Sequence, residues 1–107
     1  MGAVPAAADG TSELALLRWG LIPHWAKEPS IGARTINARA ETLAAKPSFR
    51  TAFRKRRFLI PADGFYEWAQ REGNKQPYFV QMREEEPFAM AGLWERWQGP
   101  DGDDVES

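Results

Sequence analysis

Apolar and polar residues alternate over much of the second half of the chain, which predicts short β-strands. The run Arg57-Phe-Leu-Ile-Pro-Ala-Asp-Gly-Phe-Tyr-Glu-Trp68, with Ala69 after it, predicts one long strand in which Pro61 and Gly64 mark an edge, bulge or bend. Residues 76–82 and 87–97 are also rich in aromatic and apolar side chains, and an acidic turn separates them. Together the three segments predict a three-stranded antiparallel meander.

The first third of the chain is less regular. Residues 1–11 are interpreted as a flexible leader, and residues 13–19 are apolar enough for a strand, although a short helix fits the same pattern. Residues 20–32 carry two prolines and two glycines and predict a long loop, a kind of segment that is often functional.

Residues 35–41 alternate strictly between polar and small apolar side chains, so Asn37 and Arg39 are expected to point the same way. Residues 40–45 have helical propensity, and Pro47 suits the first position of a second short helix over residues 47–55. In that helix two pairs of residues are four apart, which predicts an aromatic stripe facing inward and a basic stripe facing outward. The pairs are Phe49 with Phe53 and Arg50 with Arg54.

The chain of 107 residues is long enough for one domain, which we assign to residues 12–107. Its last ten residues are rich in Gly and Asp and suggest a hairpin loop cut before its return strand. We therefore expect an incomplete domain.

Composition excludes several kinds of site. The chain has no cysteine, so disulfides, thiolate metal sites and thiol nucleophiles are absent. His24 is the only histidine and no carboxylate cluster accompanies it, so we predict no metal and no cofactor. No apolar run approaches the roughly 18 residues needed to span a bilayer, and the N-terminus lacks the basic region of a signal peptide. An intracellular, cytoplasmic location without membrane attachment is the expectation, and the oligomeric state is open.

Charge is unevenly distributed although the net charge is −1. Between Glu41 and Asp63 there is no acidic residue, whereas six basic residues fall in that interval: Lys46, Arg50, Arg54, Lys55, Arg56 and Arg57. A segregated basic segment suits a polyanion such as nucleic acid. The alternative is an ordinary solvated helix face, which is the commoner explanation of a short charge run.

Glu67 is a candidate for chemistry because it is a single carboxylate within an aromatic strand. A low-dielectric setting disfavours the charged form of a carboxylate, and such residues are often functional. The alternative is that Glu67 simply points into water, on the strand face that it shares with Phe65 and Ala69.

Four spaced motifs together resemble the SRAP family, the SOS-response-associated peptidase-like or abasic-site processing proteins. The motifs are Trp19-Gly-Leu-Ile-Pro-His-Trp25, Asn37-Ala-Arg-Ala-Glu-Thr42, the run from Arg57 to Trp68, and Ala91-Gly-Leu-Trp-Glu95. The resemblance covers roughly residues 12–107, and the combination is far more specific than any single motif.

The resemblance implies an α+β domain in which antiparallel strands curl into a barrel-like sheet with short helices, around a positively charged groove for single-stranded DNA. Members of the family act on abasic sites: an N-terminal cysteine and its amine close a thiazolidine on the ring-opened sugar, which gives a DNA–protein crosslink. Carried over to this chain, the resemblance makes Asn37 the amide that hydrogen-bonds the opened sugar and Glu67 the residue that moves protons, the two catalytic candidates. It makes Arg39 a phosphate clamp.

Further DNA contacts follow from the same resemblance. Trp25, preceded by Pro23, is expected to fill space beside the lesion, where a ring can replace lost base stacking. Arg50 and Arg54 are proposed phosphate contacts. Trp19, by contrast, is interpreted as a possible core anchor and is not chosen for the site.

The chain departs from the family at two points. It begins Met-Gly rather than Met-Cys, and the family's histidine would lie beyond Ser107. The chain is therefore expected to be inactive in crosslinking as it stands, and whether it is an enzyme is left open. The alternative function is a non-catalytic module that binds single-stranded nucleic acid in the nucleoid. Hydrolysis of other proteins is disfavoured, because one His and no Cys cannot build a Ser-His or Cys-His pair suited to it.

Overall fold

The computed structural model describes residues 2–5 and 13–107, with side chains described from residue 13 onward. Short strands dominate it, and the two helices are one or two turns long. In chain order the elements are β1 (Gly2–Pro5), β2 (Ala15–Leu16), a 3₁₀ helix (Pro29–Arg34), α1 (Arg50–Lys55), β3 (Arg57–Ala62), β4 (Phe65–Arg71), β5 (Asn74–Val80), β6 (Phe88–Leu93), β7 (Arg96–Gln98) and β8 (Asp104–Glu106).

The largest sheet has four antiparallel strands in the order β2-β1-β3-β6. Its longest pairing joins β3 to β6, in register from Arg57 opposite Leu93 to Ala62 opposite Phe88. Along β3 exposed and half-buried residues alternate, as the period of two in the sequence predicts. Among the described residues, two hairpins, β4–β5 and β7–β8, form separate sheets.

The long strand predicted over residues 57–69 is interrupted by a bend at Asp63 and Gly64. A Cβ at Gly64 would lie 2.7 Å from the carbonyl oxygen of Val80 and closer still to the ring of Phe79, so only glycine permits this approach. The chain therefore leaves the β3 plane and starts a new hairpin. The hairpin closes at Glu72 and Gly73, both with positive φ, in the manner of a tight two-residue turn.

The predicted three-stranded meander is wrong. β4 pairs with β5, but β6 returns to pair with β3 instead of continuing beside β5. The bend at Gly64 carries the β4–β5 hairpin away from β3, which leaves the edge of β3 open for β6.

Both chain ends also differ from the sequence expectations. Gly2–Pro5, assigned above to a flexible leader, form β1, which lies between β2 and β3. The rest of that segment lies outside the described residues. At the other end β8 is a return strand, paired with β7 from Arg96 opposite Glu106 to Gln98 opposite Asp104. The expectation of a hairpin cut before its return strand is therefore wrong.

The helical predictions are confirmed in part. Residues 40–45 form hydrogen-bonded turns, and the helix predicted over residues 47–55 begins three residues later as α1. Its stripes are as expected, because Phe49 is buried and Phe53 is half-buried whereas Arg50 and Arg54 are exposed. The predicted strand at residues 13–19 is reduced to β2, and the predicted loop at residues 20–32 runs into the 3₁₀ helix.

The buried core is small and lies between α1 and the loop before the 3₁₀ helix. Leu21, Phe49 and Ala52 form it, with Leu43 and Leu93 packed against them. The fold is thus a mixture of antiparallel sheet and few short helices, which confirms the α+β prediction at that level. None of the helices in the described part of the chain is long and apolar enough to cross a membrane.

Candidate functional site

A wide cleft of about 1060 Å³ lies where the main sheet, the start of the β4–β5 hairpin, α1 and the segments around residues 17–21 and 35–40 face one another. Its floor is mostly apolar and comes from residues of β3 and β6 and from Phe49 and Phe53, at the start of α1 and within it. Only three of its described lining residues are charged: Arg18, Arg57 and Glu67. An apolar cleft with a few convergent polar groups is the usual form of a binding site.

Asn37 reaches the cleft from an extended segment that is anchored just before it. The Thr35 hydroxyl donates to the Leu21 carbonyl, and the Leu21 backbone N–H donates to the Thr35 carbonyl at 3.2 Å. Thr35 is buried, so these bonds fix the segment from which Asn37 projects. Asn37 itself is exposed and lines the cleft.

Glu67 reaches the same cleft from β4, opposite Tyr78 of β5. Its neighbour on the same strand face, Phe65, packs edge-to-face against Phe88, with ring centroids 6.3 Å apart. This contact ties the start of the hairpin to the main sheet. Glu67 is exposed, and it forms no ion pair with any described residue. The Glu67 carboxylate therefore points into water and also lines the cleft.

The other predicted DNA contacts are not among the lining residues of this cleft. Arg39 is exposed, and its carbonyl oxygen accepts hydrogen bonds from the backbone N–H groups of Thr42 and Leu43, so the chain turns there. Arg50 and Arg54 are exposed on the outer side of α1. Of the three residues to which the resemblance gives roles at the sugar and its phosphate, Asn37 and Glu67 share the cleft, whereas Arg39 lies outside its lining.

The sequence favoured Trp25 over Trp19 as a DNA contact, but in the structure Trp19, and not Trp25, lines the cleft. Trp19 lines the cleft, is 42% exposed, and its indole N–H donates to the Ile36 carbonyl at 3.0 Å. Trp25 is 50% exposed but lies outside the lining, with its indole N–H 3.3 Å from the Pro47 carbonyl oxygen. Pro23 is fully buried. Of Trp19 and Trp25, it is therefore Trp19 whose ring is available to a molecule in the cleft.

Arg18 and Arg57 are cleft residues that sequence reasoning did not single out. Both are exposed, and neither forms an ion pair with a described residue. The Arg57 guanidinium lies 5.9 Å from the centre of the Phe53 ring, a cation–π contact that restricts it. Arg57 belonged to the basic run, but no pattern distinguished it from its neighbours. Arg18 stands alone beside Trp19, and no signal in the sequence marked it.

In the described part of the chain, no three His, Asp or Glu side chains stand together in a way that could hold a metal ion.

Comparison with known proteins identifies one family model and several similar proteins. The sequence matches the family model of the SOS response associated peptidase (SRAP) over residues 2–107. It is 50% identical over 96 residues to the abasic site processing protein YoqW of Bacillus subtilis, a match that covers 88% of this chain and 43% of YoqW. It is 37% identical over 118 residues to the abasic site processing protein HMCES of Gallus gallus, covering 89% of this chain and 35% of that protein. The chain thus spans less than half the length of these curated relatives.

Solved structures agree at the level of the fold. A protein from Bacteroides thetaiotaomicron superposes with a TM-score of 0.82 and 34% identity, over 97% of this chain and 46% of its own. A protein from Bordetella bronchiseptica gives a TM-score of 0.82 and 32% identity, over 99% of this chain and 53% of its own. The four motifs, the fold and these matches lead to one conclusion: the chain belongs to the SOS response associated peptidase (SRAP) family.

Proposed function

We propose that this chain is the DNA-binding part of an abasic-site processing protein, and that single-stranded DNA binds in the cleft described above. The observation that carries the proposal is that Asn37 and Glu67, thirty residues apart in sequence, line one cleft together with two arginines that have no described ion-pair partner. The names of the relatives YoqW and HMCES support the substrate class.

The lining residues suit a sugar–phosphate strand that lacks one base. The guanidinium groups of Arg18 and Arg57 can hold phosphates flanking the lesion, where each phosphate contact releases counterions. Trp19 offers a ring on which a neighbouring base can stack, which is worth about 1–3 kcal/mol. The Asn37 amide can hydrogen-bond the opened sugar, and the exposed Glu67 carboxylate can accept or return a proton there. Arg39, Trp25, Pro23, Arg50 and Arg54 stay as predicted outer contacts along a longer strand.

The chemistry implied for the intact family needs a thiol, and this chain has none. We therefore propose that the chain as given binds abasic DNA without forming a thiazolidine. Lyase, peptidase or hydrolase activity of a longer protein, closure of the sheets into a barrel, and a role in the DNA damage and SOS responses at the nucleoid all belong to this proposal.

The alternative is a non-catalytic module that binds single-stranded nucleic acid. It is favoured by the same arginines and Trp19, and it requires no abasic site. A direct comparison separates the two. The affinity of the chain is measured by fluorescence anisotropy for one labelled oligonucleotide with and without a central abasic site, in its single-stranded and duplex forms.

Tighter binding to the abasic single strand supports abasic-site recognition, and equal binding to both single strands supports the module. Failure to prefer either single strand over the duplex contradicts the proposal.

A Gly2→Cys variant then tests the chemistry. β1 begins at Gly2, opposite Leu16, and Leu17 and Arg18 beyond it line the cleft. Once Met1 is removed, a cysteine at position 2 has a free amine and a thiol, which can condense with the sugar aldehyde with loss of water, so we expect a covalent adduct with abasic DNA that is detectable by mass spectrometry.

A further inference from the structure

Behind one wall of the cleft lies a buried carboxylate that the proposed function does not use. Glu95 is 1% exposed and stands between β6 and β7. A buried ionised carboxylate is costly unless it is paired and hydrogen-bonded, so its partners explain why it is there.

The Glu95 side chain contacts residues from separate segments of the chain. Its Oε1 atom lies 3.1 Å from Nη1 of Arg56, at the junction of α1 and β3, and also accepts the backbone N–H of Arg96 at 3.0 Å. Its Oε2 atom lies 3.6 Å from Nδ1 of His24, in the loop that begins at Trp19. The Arg56 contact is a charge contact without hydrogen-bond geometry, and this buried nitrogen has no other hydrogen-bond partner among the described residues. The Arg56 guanidinium also lies over the Trp94 ring, 5.8 Å from its centre, so attraction to Glu95 and this cation–π contact together hold it in place.

The backbone of Glu95 also forms hydrogen bonds. Its N–H donates to the Ser107 carbonyl at 2.8 Å, and the Ser107 N–H donates back to the Glu95 carbonyl at 3.0 Å. The Ser107 hydroxyl oxygen in turn accepts the Ile22 N–H at 2.8 Å. Two lines of contact thus run from Glu95 to the loop that carries Trp19, one through His24 and one through Ser107.

Three of these residues, Arg56, Ile22 and Ser107, are next to a residue that lines the cleft or line it themselves, whereas His24 and Arg96 neither line it nor adjoin a lining residue. Arg57 follows Arg56, Leu21 precedes Ile22, Leu93 lies two residues before Glu95, and Ser107 lines the cleft directly. Glu95 does not line the cleft, so it has no described route to a bound molecule except through them.

We propose that Glu95 is a positioning residue for DNA binding: its buried carboxylate fixes the loop that bears Trp19 and the start of β3 that bears Arg57 in the orientation in which both face the cleft. The DNA-binding measurement that tests this inference rests on the proposed function. The inference extends that function by assigning a role to a residue that contacts no DNA.

The test compares Glu95→Gln with Glu86→Gln, a matched control in the exposed acidic turn. Removing any carboxylate raises the net charge by one unit and by itself strengthens binding to a polyanion. Glu86→Gln is expected to show that small gain. Glu95→Gln is expected to show the opposite, about five- to tenfold weaker binding to single-stranded abasic DNA. Its salt dependence should become shallower, by at most the slope of about 0.7 that one phosphate contact contributes, because Arg57 is still present but is no longer held facing the cleft.

Amide hydrogen exchange gives a readout that needs no DNA. Glu95→Gln is expected to speed exchange at the backbone N–H of Leu21 and Ile22 and at the indole N–H of Trp97, which donates to the Ala26 carbonyl at 2.6 Å. The β3–β6 amides should keep their protection. If Glu95→Gln fails to fold, the double variant Arg56→Met with Glu95→Gln replaces it, since no charge is then left unpaired in the interior.

Each result of the binding and exchange measurements either supports or contradicts the positioning role of Glu95. Weaker binding with faster loop exchange supports the positioning role. Binding that strengthens as in Glu86→Gln, or loop exchange that does not change, overturns it. If the unmodified chain binds no single-stranded DNA, the proposed function fails, and hydrogen exchange alone then decides whether Glu95 orders the loop.

Discussion

At the scale of single residues, the cleft combines one carboxylate, one amide and two guanidinium groups on an apolar floor. Glu67 is exposed, so its carboxylate is open to solvent and to a molecule bound in the cleft. The segment that carries Asn37 is anchored through the buried hydroxyl of Thr35, two residues before it. Each group therefore has a separable task, and a single substitution can test it.

The first prediction concerns proton transfer by Glu67. In the Gly2→Cys background, Glu67→Gln is expected to slow adduct formation with abasic DNA by about 10²–10⁴-fold, because an amide cannot take up a proton at this position. Affinity for the DNA should not fall, since the change removes a negative charge. The rate is measured by single-turnover gel assays, with Glu72→Gln at the hairpin tip as the control. An unchanged rate would show that Glu67 moves no proton in this reaction.

At the scale of elements, the bend at Gly64 decides where Glu67 goes. Without it β3 would continue in its own plane, and β4 would not turn over the cleft. The contact between Phe65 and Phe88 holds the base of the hairpin against β6 after the bend. Strand pairing therefore depends on a position where the chain tolerates no side chain.

The second prediction follows from that bend. Gly64→Ala is expected to lower the free energy of unfolding by about 1–3 kcal/mol, because the new methyl group meets the Phe79 ring and the Val80 carbonyl. Gly73→Asn is the comparison: nothing lies within 4 Å of a Cβ there, and asparagine tolerates the positive φ of the turn, so stability should hardly change. Urea unfolding followed by tryptophan fluorescence measures both. Equal stability of the two variants would mean that the bend can relax.

At the scale of the whole molecule, the cleft exists only because distant segments meet. Arg18 and Arg57 are thirty-nine residues apart, yet both line it. The radius of gyration is 15.8 Å, larger than the roughly 13 Å of a compact domain of this length. The β4–β5 hairpin contributes to this openness, and it exposes Tyr66, Trp68 and Phe79.

The third prediction concerns the electrostatics of the cleft. Each phosphate held on single-stranded DNA contributes a slope of about −0.7 to the dependence of log affinity on log salt concentration. Arg57→Gln is therefore expected to make the slope shallower by about that amount and to weaken binding. The control is Arg71→Gln: Arg71 is on the same hairpin strand as Glu67 but about 13 Å further along it. Should both variants behave alike, Arg57 is not a specific phosphate contact.

The fourth prediction concerns the exposed aromatic residues. A contiguous apolar face favours association, so the chain is expected to self-associate in a concentration-dependent manner. Trp68→Ser should reduce that association, since Trp68 is 62% exposed on the hairpin. Sedimentation velocity over a dilution series measures it, with Gln70→Ser on the same strand as the control. A chain that stays monomeric at all concentrations would contradict this prediction.

Local patterns were sufficient for much of this molecule. The resemblance that the motifs carry indicated Asn37 and Glu67, and both line the cleft. The alternation in β3 predicted its half-buried face, and the four-residue spacing of Phe49 and Phe53 predicted the inward-facing side of α1. These features arise from the period of a strand or a helix, which neighbouring residues alone determine.

Tertiary structure decided the rest. Contacts between segments far apart in the chain determine which strand pairs with β3 and place β1 in the sheet. They also determine which residues line the cleft: Arg18, Trp19 and Arg57 do, whereas Arg39 and Trp25 do not. The buried position of Glu95 is of the same kind, because its partners His24, Arg56 and Ser107 come from three distant segments of the chain. A local pattern gives the direction of a side chain relative to its own element, and only the packing of elements determines what that side chain meets.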